Sequence, residues 1–454
     1  MIKKFMKNIL ESGWFSFPLG YMKLSTLNRL EIKKTKFINI LLLGYYKQKV
    51  KNITIDCNIS SKQKRRVFFL MNIQPLWEKS TSNFLKIIAD ITKYYLENGI
   101  EVHFVLGNHS HVSYLTNTGI KWKNFMMVEV EDLKNKIEED LYNMNQIKKN
   151  EVQIYILNQA KGNILLKEYF NSVVKFFDNC QFNKNDLIFH DGGKIKSFLF
   201  EELMGKICAK KVHLTMGRTE IVNSKKYDYV YGFNTDLKEN EIKPIVTNLS
   251  PFYWETLSSI KLSDDEESFL EILENKNFQY LFISAKQKIA SSIDDEFIEI
   301  MNEIDKKYNN IHFCLIGDTK QAIKEKLKDK ITFDFKHISV VEFSESLYSF
   351  YKRINEKVDT FFIFPRISGG GTGNLTVANA GIPTTIFRGN DAEGGWLPSK
   401  YFVDTKNDFL NQIDKFVKNK NNEREQFLKD FVEHKEKTEN ESKEMCRRLL
   451  YADK

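Results

Sequence analysis

The residues best suited to chemistry lie in one run, Ser368-Gly369-Gly370-Gly371-Thr372-Gly373-Asn374, where four of five consecutive positions are glycine. The apolar stretch Phe361-Phe362-Ile363-Phe364 precedes it and ends at Pro365. Leu375 to Ala380 follows and closes at Gly381-Ile382-Pro383. That order predicts a buried strand, a tight loop and a short helix. Glycine lets the backbone approach a ligand closely and take positive φ. The helix start adds N–H groups with no intrahelical partner and a partial positive charge, so the junction suits a phosphate. Thr372 and Asn374 are placed to cap the helix or to bond a phosphate oxygen. No lysine follows as a Walker loop requires. The run also stands at the last helix of its domain, whereas a dinucleotide fingerprint belongs near the first.

The elements that must position this run alternate regularly. Val67-Phe68-Phe69-Leu70-Met71 reads as a strand buried on both faces, Asn83 to Asn98 as a helix ending at Gly99, and Val102 to Leu106 as the next strand. Strand, helix, strand at this spacing is a βαβ unit, which pairs in parallel. The pattern continues to about residue 248. The acidic run Asp264-Asp265-Glu266-Glu267 interrupts it, and it restarts at Tyr280. The fold class is α/β, with two Rossmann-like, doubly wound parallel-sheet domains facing a cleft. A basic extension covers residues 1–63, the first domain 64–250, a linker 251–274, the second domain 275–418 and a charged helical tail 419–454. Ligands of such sheets bind outside the carboxyl ends of the strands.

At 454 residues, 42% apolar and 28% charged with seven prolines, the chain is long enough for two globular cores. Its net charge of +8 is uneven. Residues 1–66 hold fifteen Lys/Arg against Glu11, Glu31 and Asp56, a net of +12, which leaves about −4 for the rest. Such a head suits an anionic partner or is simply a solvated extension. Phe5, Ile9, Leu10, Trp14, Phe15 and Phe17 among Lys3, Lys4 and Lys7 fit an interfacial helix or one packed on the first domain. The longest apolar run, Phe37 to Tyr46, is about half a membrane span. No secretory signal is evident, and five scattered cysteines show neither a disulfide framework nor a zinc spacing. The expected location is therefore the cytoplasm, with the inner face of the membrane as the alternative.

Strand, proline, glycine-rich loop, short helix, Ala380-Gly381-Ile382-Pro383 and a further strand resemble the donor-binding half of GT-B glycosyltransferases. The likeness of architecture runs from about 64 to 418, and the sharp motif is confined to 364–396. It implies a glycosyltransferase with a nucleotide-sugar as co-substrate, no other cofactor and no metal. Ser368 to Asn374 would hold the donor diphosphate. The resemblance places Lys286 and Lys288, after the second domain's first strand, beside that diphosphate, and Asp391 and Glu393 against the sugar hydroxyls. Retaining members commonly carry two glutamates at the positions of Ser368 and Thr376, so inversion is expected. An inverting reaction needs a base, usually from the first domain. Glu78, His109 or His111, and His190-Asp191 before Gly192-Gly193 stand at predicted strand ends, the last pair being the most suggestive. His109 and His111 lack a third ligand for a metal. The acceptor would be a glycan, a lipid-linked molecule or a protein, as in bacterial surface glycan synthesis, with no nucleic acid partner. A nucleotide-sugar 2-epimerase is the alternative, because its Ser-Gly-Gly turn is similar to Ser368-Gly369-Gly370, although the paired glutamates that follow that turn are missing.

Overall fold

The structure, a computed structural model, describes residues 48–56, 64–72, 83–107, 130–157, 166–190, 198–215, 227–232, 262–275, 278–285, 289–342, 347–366, 372–388 and 397–451. Six strands form the first sheet: β1 (Arg66–Asn72), β2 (Glu101–Gly107), β3 (Val152–Leu157), β4 (Leu187–His190), β5 (Lys210–Thr215) and β6 (Tyr229–Gly232). Their order is β3-β2-β1-β4-β5-β6, with every pairing parallel. The chain winds outward from β1 through β3, then reverses to lay β4 on the other side of β1. That reversal opens a crevice at the carboxyl ends of β1 and β4.

Helices α1 (Asn83–Glu97), α2 (Val130–Asn145), α3 (Leu166–Asn179) and α4 (Phe198–Met204) accompany this sheet. Val67, Phe69 and Met71 share a buried cluster with Ile88 and Tyr95 of α1, whereas Phe68 and Leu70 share one with Phe177 of α3 and Phe200 of α4. Both faces of β1 are thus covered, which is why its sequence is an unbroken apolar run rather than an alternating one. The strongly charged α2 was not legible in the sequence. Among its described side chains, Ile137 and Leu141 enter the core.

The second domain repeats the winding. Its strands are β7 (Tyr280–Ala285), β8 (Ile311–Ile316), β9 (Ile338–Val341), β10 (Asp359–Phe362), β11 (Ile386–Phe387) and β12 (Phe402–Val403). The four-stranded sheet runs β10-β7-β8-β9, β11 pairs with β12, and a parallel bridge from Phe362 to Thr384 sets the second group beside β10. Its helices are α5 (Asp264–Asn275), α6 (Asp295–Lys307), α7 (Lys320–Leu327), α8 (Leu347–Lys357), α9 (Thr372–Asn379) and α10 (Lys406–Lys418), followed by α11 (Lys420–Tyr451). Side-chain caps start several of them: Asp294 accepts from the Phe297 amide at 2.8 Å, Thr319 from Ala322 at 3.2 Å and Thr405 from Asp408 at 3.1 Å.

The chain departs from its sequence expectation in two places. The acidic run assigned to a linker is the first turn of α5, where negative charge is favourable. Ser263 and Glu266 close a capping box there, and Phe269, Leu270 and Leu273 enter the second domain's core. The end of the basic extension is also anchored: Val50 and Ile55 are buried against the first domain, and Lys206 donates to the Ile53 carbonyl at 2.8 Å. Arg66, counted with the basic head, forks onto the buried Asp186 at 3.0 and 2.7 Å.

The tail is a helix, as expected, and it packs on both domains. Helix α11 has no core of its own because it completes two others. Near its start Phe427 packs on Tyr401 and Phe416 of the second domain, and Phe431 follows one turn on. Near its end Cys446, Leu449 and Leu450 are buried in the cluster that holds α1 and β1. The Tyr95 hydroxyl donates to the Cys446 carbonyl, and the Lys210 ammonium donates to those of Leu449 and Leu450 at 3.3 and 3.1 Å. A cation on the last carbonyls complements the helix dipole. Among the described residues no helix is long and apolar enough to cross a membrane.

Leu449→Ala should therefore cost roughly 2–5 kcal/mol, the usual range for a buried leucine. Urea unfolding read by fluorescence would measure it. A loss below about 1 kcal/mol would mean that the end of α11 does not support the first domain.

Candidate functional site

The second sheet presents its carboxyl edge where β7 and β10 end side by side, paired from Asp359↔Tyr280 to Phe362↔Ile283. Past β7 the chain re-enters at Ile289–Ser291, where the Ala290 amide donates to Asp318 at 3.2 Å. Past β10 come Ile363 and Phe364, both buried, then Pro365 and Arg366. Helix α9 begins at Thr372, directly after Gly371 in sequence, so its amino end meets the glycine run at this edge. Thr372, Gly373 and Asn374 form its first turn. Thr376, Val377 and Ala378 are all buried, the last two in different clusters, and Thr376, at one of the two expected glutamate positions, is only 2% exposed.

The far end of α9 is held firmly. Gly381 adopts φ +80°, and its amide and that of Ile382 bond back to Ala378 and Val377, a left-handed cap that favours glycine. Asn355 of α8 donates to the Ala380 carbonyl at 3.1 Å. Arg424 of α11 donates to the Asn355 side chain and to the Gly381 carbonyl. The Ala-Gly-Ile-Pro turn is thereby tied both to its own domain and to the helix that reaches the other one.

Arg366, just past the end of β10, links three elements at this edge. Its guanidinium forks onto Glu296 of α6 at 2.7 and 3.1 Å, donates to the Asp404 carbonyl after β12 at 3.1 Å, and lies 4.1 Å from the Phe387 ring centroid. The paired carboxylate raises the arginine pKa, and the arginine in turn holds Glu296 below the ordinary carboxylate value. In the sequence it stands only as an arginine between the proline ending a buried strand and a glycine run.

In the first domain His190 ends β4, paired with Leu70 of β1 and His213 of β5. Its ring is fully buried, stacked on Tyr227 and edge-on to Phe200. Nδ1 lies 2.6 Å from the Tyr227 hydroxyl, which donates to Glu201 at 3.3 Å. His190 therefore stands in the layer between sheet and helices and anchors the strand end from which Asp191 departs.

The other expected site residues, Glu78, His109, His111, Asp191, Lys286, Lys288, Ser368, Gly369, Gly370, Gly371, Asp391 and Glu393, lie outside the described residues. Their places are fixed only by the elements that flank them. Glu78 follows β1, Asp191 follows β4, the two lysines follow β7, and Asp391 and Glu393 fall between β11 and β12. Each of these segments leaves the carboxyl end of a parallel strand.

No protein-family model matches the chain, and no curated protein matches it. Solved structures do. Sucrose-phosphate synthase from Thermosynechococcus elongatus matches with TM-score 0.54 and 9% identity, over 86% of this chain and 100% of that one. Anabaena HepE in complex with UDP matches with TM-score 0.51 and 11% identity, over 85% and 99%. A glycosyltransferase from Rickettsia africae matches with TM-score 0.50 and 11% identity, over 86% and 100%. These likenesses, with the two parallel sheets, establish the GT-B fold.

The histidines of the first sheet make the site's scaffold sensitive to acid. Burial lowers the His213 pKa to about 4, and His103 is lowered mainly by burial as well. A base whose folded pKa is depressed lets the unfolded chain bind the proton first. Stability is then complete above about pH 6.5, falls as pH drops toward 4, and levels off below it. His213 alone accounts for roughly 3 kcal/mol of that loss. Denaturant midpoints at pH 7.5, 6 and 5 should decline in the wild type and decline less in His213→Phe. Parallel declines would show that His213 is not responsible.

Proposed function

We propose that the chain is a glycosyltransferase that moves a sugar from a nucleotide-sugar to a glycan, lipid-linked or protein acceptor, with inversion. One observation carries this: a run of glycines enters the amino end of α9 at the carboxyl edge of the second sheet of a GT-B fold. Backbone N–H groups there, with the helix dipole, suit the diphosphate that becomes the leaving group. Lys286 and Lys288, which follow β7 beside β10, would offset the charge developing on that diphosphate without a metal. Asp391 and Glu393 would hold the sugar hydroxyls.

Asp191 is the proposed base, with Glu78 as the alternative. It takes the acceptor hydroxyl proton as the acceptor oxygen attacks the anomeric carbon. The anomeric carbon–oxygen bond to the diphosphate breaks, and the pair of electrons leaves with the nucleotide. His190, fixed through Tyr227 and Glu201, is a positioning residue for the strand end beneath Asp191. The basic head would sit at the cytoplasmic face of an anionic membrane, where lipid-linked acceptors of surface glycan synthesis are found, with no nucleic acid involved.

The UDP bound to HepE makes uridine nucleotides the first to try. A thermal-shift screen of UDP, GDP, CMP and dTDP sugars should show selective stabilisation by one donor. Gly370→Val with Gly371→Val should then abolish calorimetric binding of the matching diphosphate, and unchanged binding by a folded variant would sink the phosphate assignment. Asp191→Asn should lower kcat by about 10²–10⁴ with donor binding retained. A new epimer formed from donor alone would instead favour a nucleotide-sugar 2-epimerase.

A further inference from the structure

Strand β10 leads toward the glycine run and α9 leads away from it, and the far ends of the two elements meet at one guanidinium. Arg424 of α11 donates to the side-chain carbonyl of Asn355 near the end of α8, and it lies 3.4 Å from the Gly381 carbonyl just past α9. Its Nη1 stands 3.7 Å from the carboxylate of Asp359, the first residue of β10. Asn355 completes the link by donating to the Ala380 carbonyl at 3.1 Å. The fit is close: a Cβ on Gly381 would come within 3.4 Å of Asn355 Nδ2 and 3.6 Å of the Leu428 side chain of α11. Further along α11, Lys435 reaches the Asn379 side chain at 3.4 Å. Burial pulls the Arg424 pKa below the ordinary arginine value, and Asp359 only partly opposes it, so these contacts are made against a desolvation cost.

We infer that Arg424 is a positioning residue for the donor diphosphate: it pins the base of the β10–α9 unit and so sets the tilt of α9. The inference rests on the glycosyltransferase proposal for what α9 binds, though not for how α9 is held. Arg424 acts through Asn355 and the Gly381 turn, at the end of α9 opposite the proposed ligand. Core packing alone grips this helix weakly, because the side chains it buries, Thr376, Val377 and Ala378, are short. Its eight residues span about 12 Å, so a tilt of about 5° around one end moves the other by about 1 Å. A displacement of about 1 Å can cost about 10²-fold in rate. Lysine could not replace the arginine, because a single ammonium lacks the planar fork that reaches Asn355, Gly381 and Asp359 together.

Two measurements test this. The amides of Ala380, Gly381 and Ile382 bond back into α9, and hydrogen–deuterium exchange on the ligand-free protein reads them directly. Exchange over 376–382 should be about 10-fold faster in Arg424→Lys and in Asn355→Asp than in the wild type, with β7 and β8 keeping their protection. Unchanged exchange there would overturn the clamp. Asn355→Asp still accepts from Arg424 and loses only the donor to Ala380, so it remains informative if the arginine variant folds poorly. The second measurement is calorimetry with UDP and uridine, or with the diphosphate and nucleoside of whichever donor the stability screen selects. Both variants should bind the diphosphate about 10-fold more weakly, with the nucleoside changed less than about twofold. Equal weakening of the two ligands, or none, would overturn the positioning role, since general loosening of the domain does not distinguish a ligand by its phosphates. A wild-type protein that binds no nucleoside diphosphate would sink the nucleotide-sugar reading, and the exchange result would still decide whether Arg424 holds α9.

Discussion

Phe427 and Phe431 pack among second-domain aromatics and Cys446, Leu449 and Leu450 beside α1 of the first domain, and this single helix joins them in one continuous buried cluster. Each domain thus exposes an apolar face that its own strands and helices leave uncovered, and α11 must bridge the two for either to be dry. Burial recurs along the helix at Phe427, Phe431, Thr438, Ser442, Cys446, Leu449 and Leu450, while most of its exposed surface is polar or charged. The two buried ends are separated by Thr438 and Ser442, buried but short and polar. Aromatic and aliphatic anchors at the ends with small polar residues between them fix both domains to one rod.

Because the rod is also bonded to the Ala380-Gly381 turn through Arg424 and Asn355, the constraint reaches the site. Helix α9 is held at its carboxyl end by a residue of α11, and at its amino end it meets the glycine run. On the other side of the molecule the same helix is capped by Lys210 at the root of β5, the neighbour of β4 and His190. The elements that lead into the proposed donor loop and toward the proposed base are thus tied to a common helix.

Polar side chains are paired in two ways in this chain. Asp186 is satisfied by Arg66 and Asn183 at the start of β4, and Glu266 accepts from the amide of Ser263 at the start of α5. Nearer those edges the polar groups form links between elements rather than caps within them: His190 with Tyr227 and Glu201, Arg366 with Glu296 and Asp404, Arg388 with Asp404. Such cross-links hold loop roots where the sheet's own hydrogen bonds have run out.

The sequence by itself determined the two parallel sheets and the glycine run's place between a buried strand and a helix, since these are local patterns of apolar spacing and backbone freedom. Val67 to Met71 announces a strand covered on both faces whatever covers it. It did not reveal α2 or α5, whose charged surfaces mask a thin apolar stripe, nor that the acidic run begins a helix. Only the tertiary structure decided that His190 faces the interior and that α11 belongs to both cores. It alone showed that Arg366, an unremarkable residue in the sequence, joins three elements. Those outcomes depend on contacts between residues up to 351 positions apart, as Tyr95 and Cys446 are. Propensity and periodicity carry no information at that range: which groups meet is set by how the sheets wind and pack.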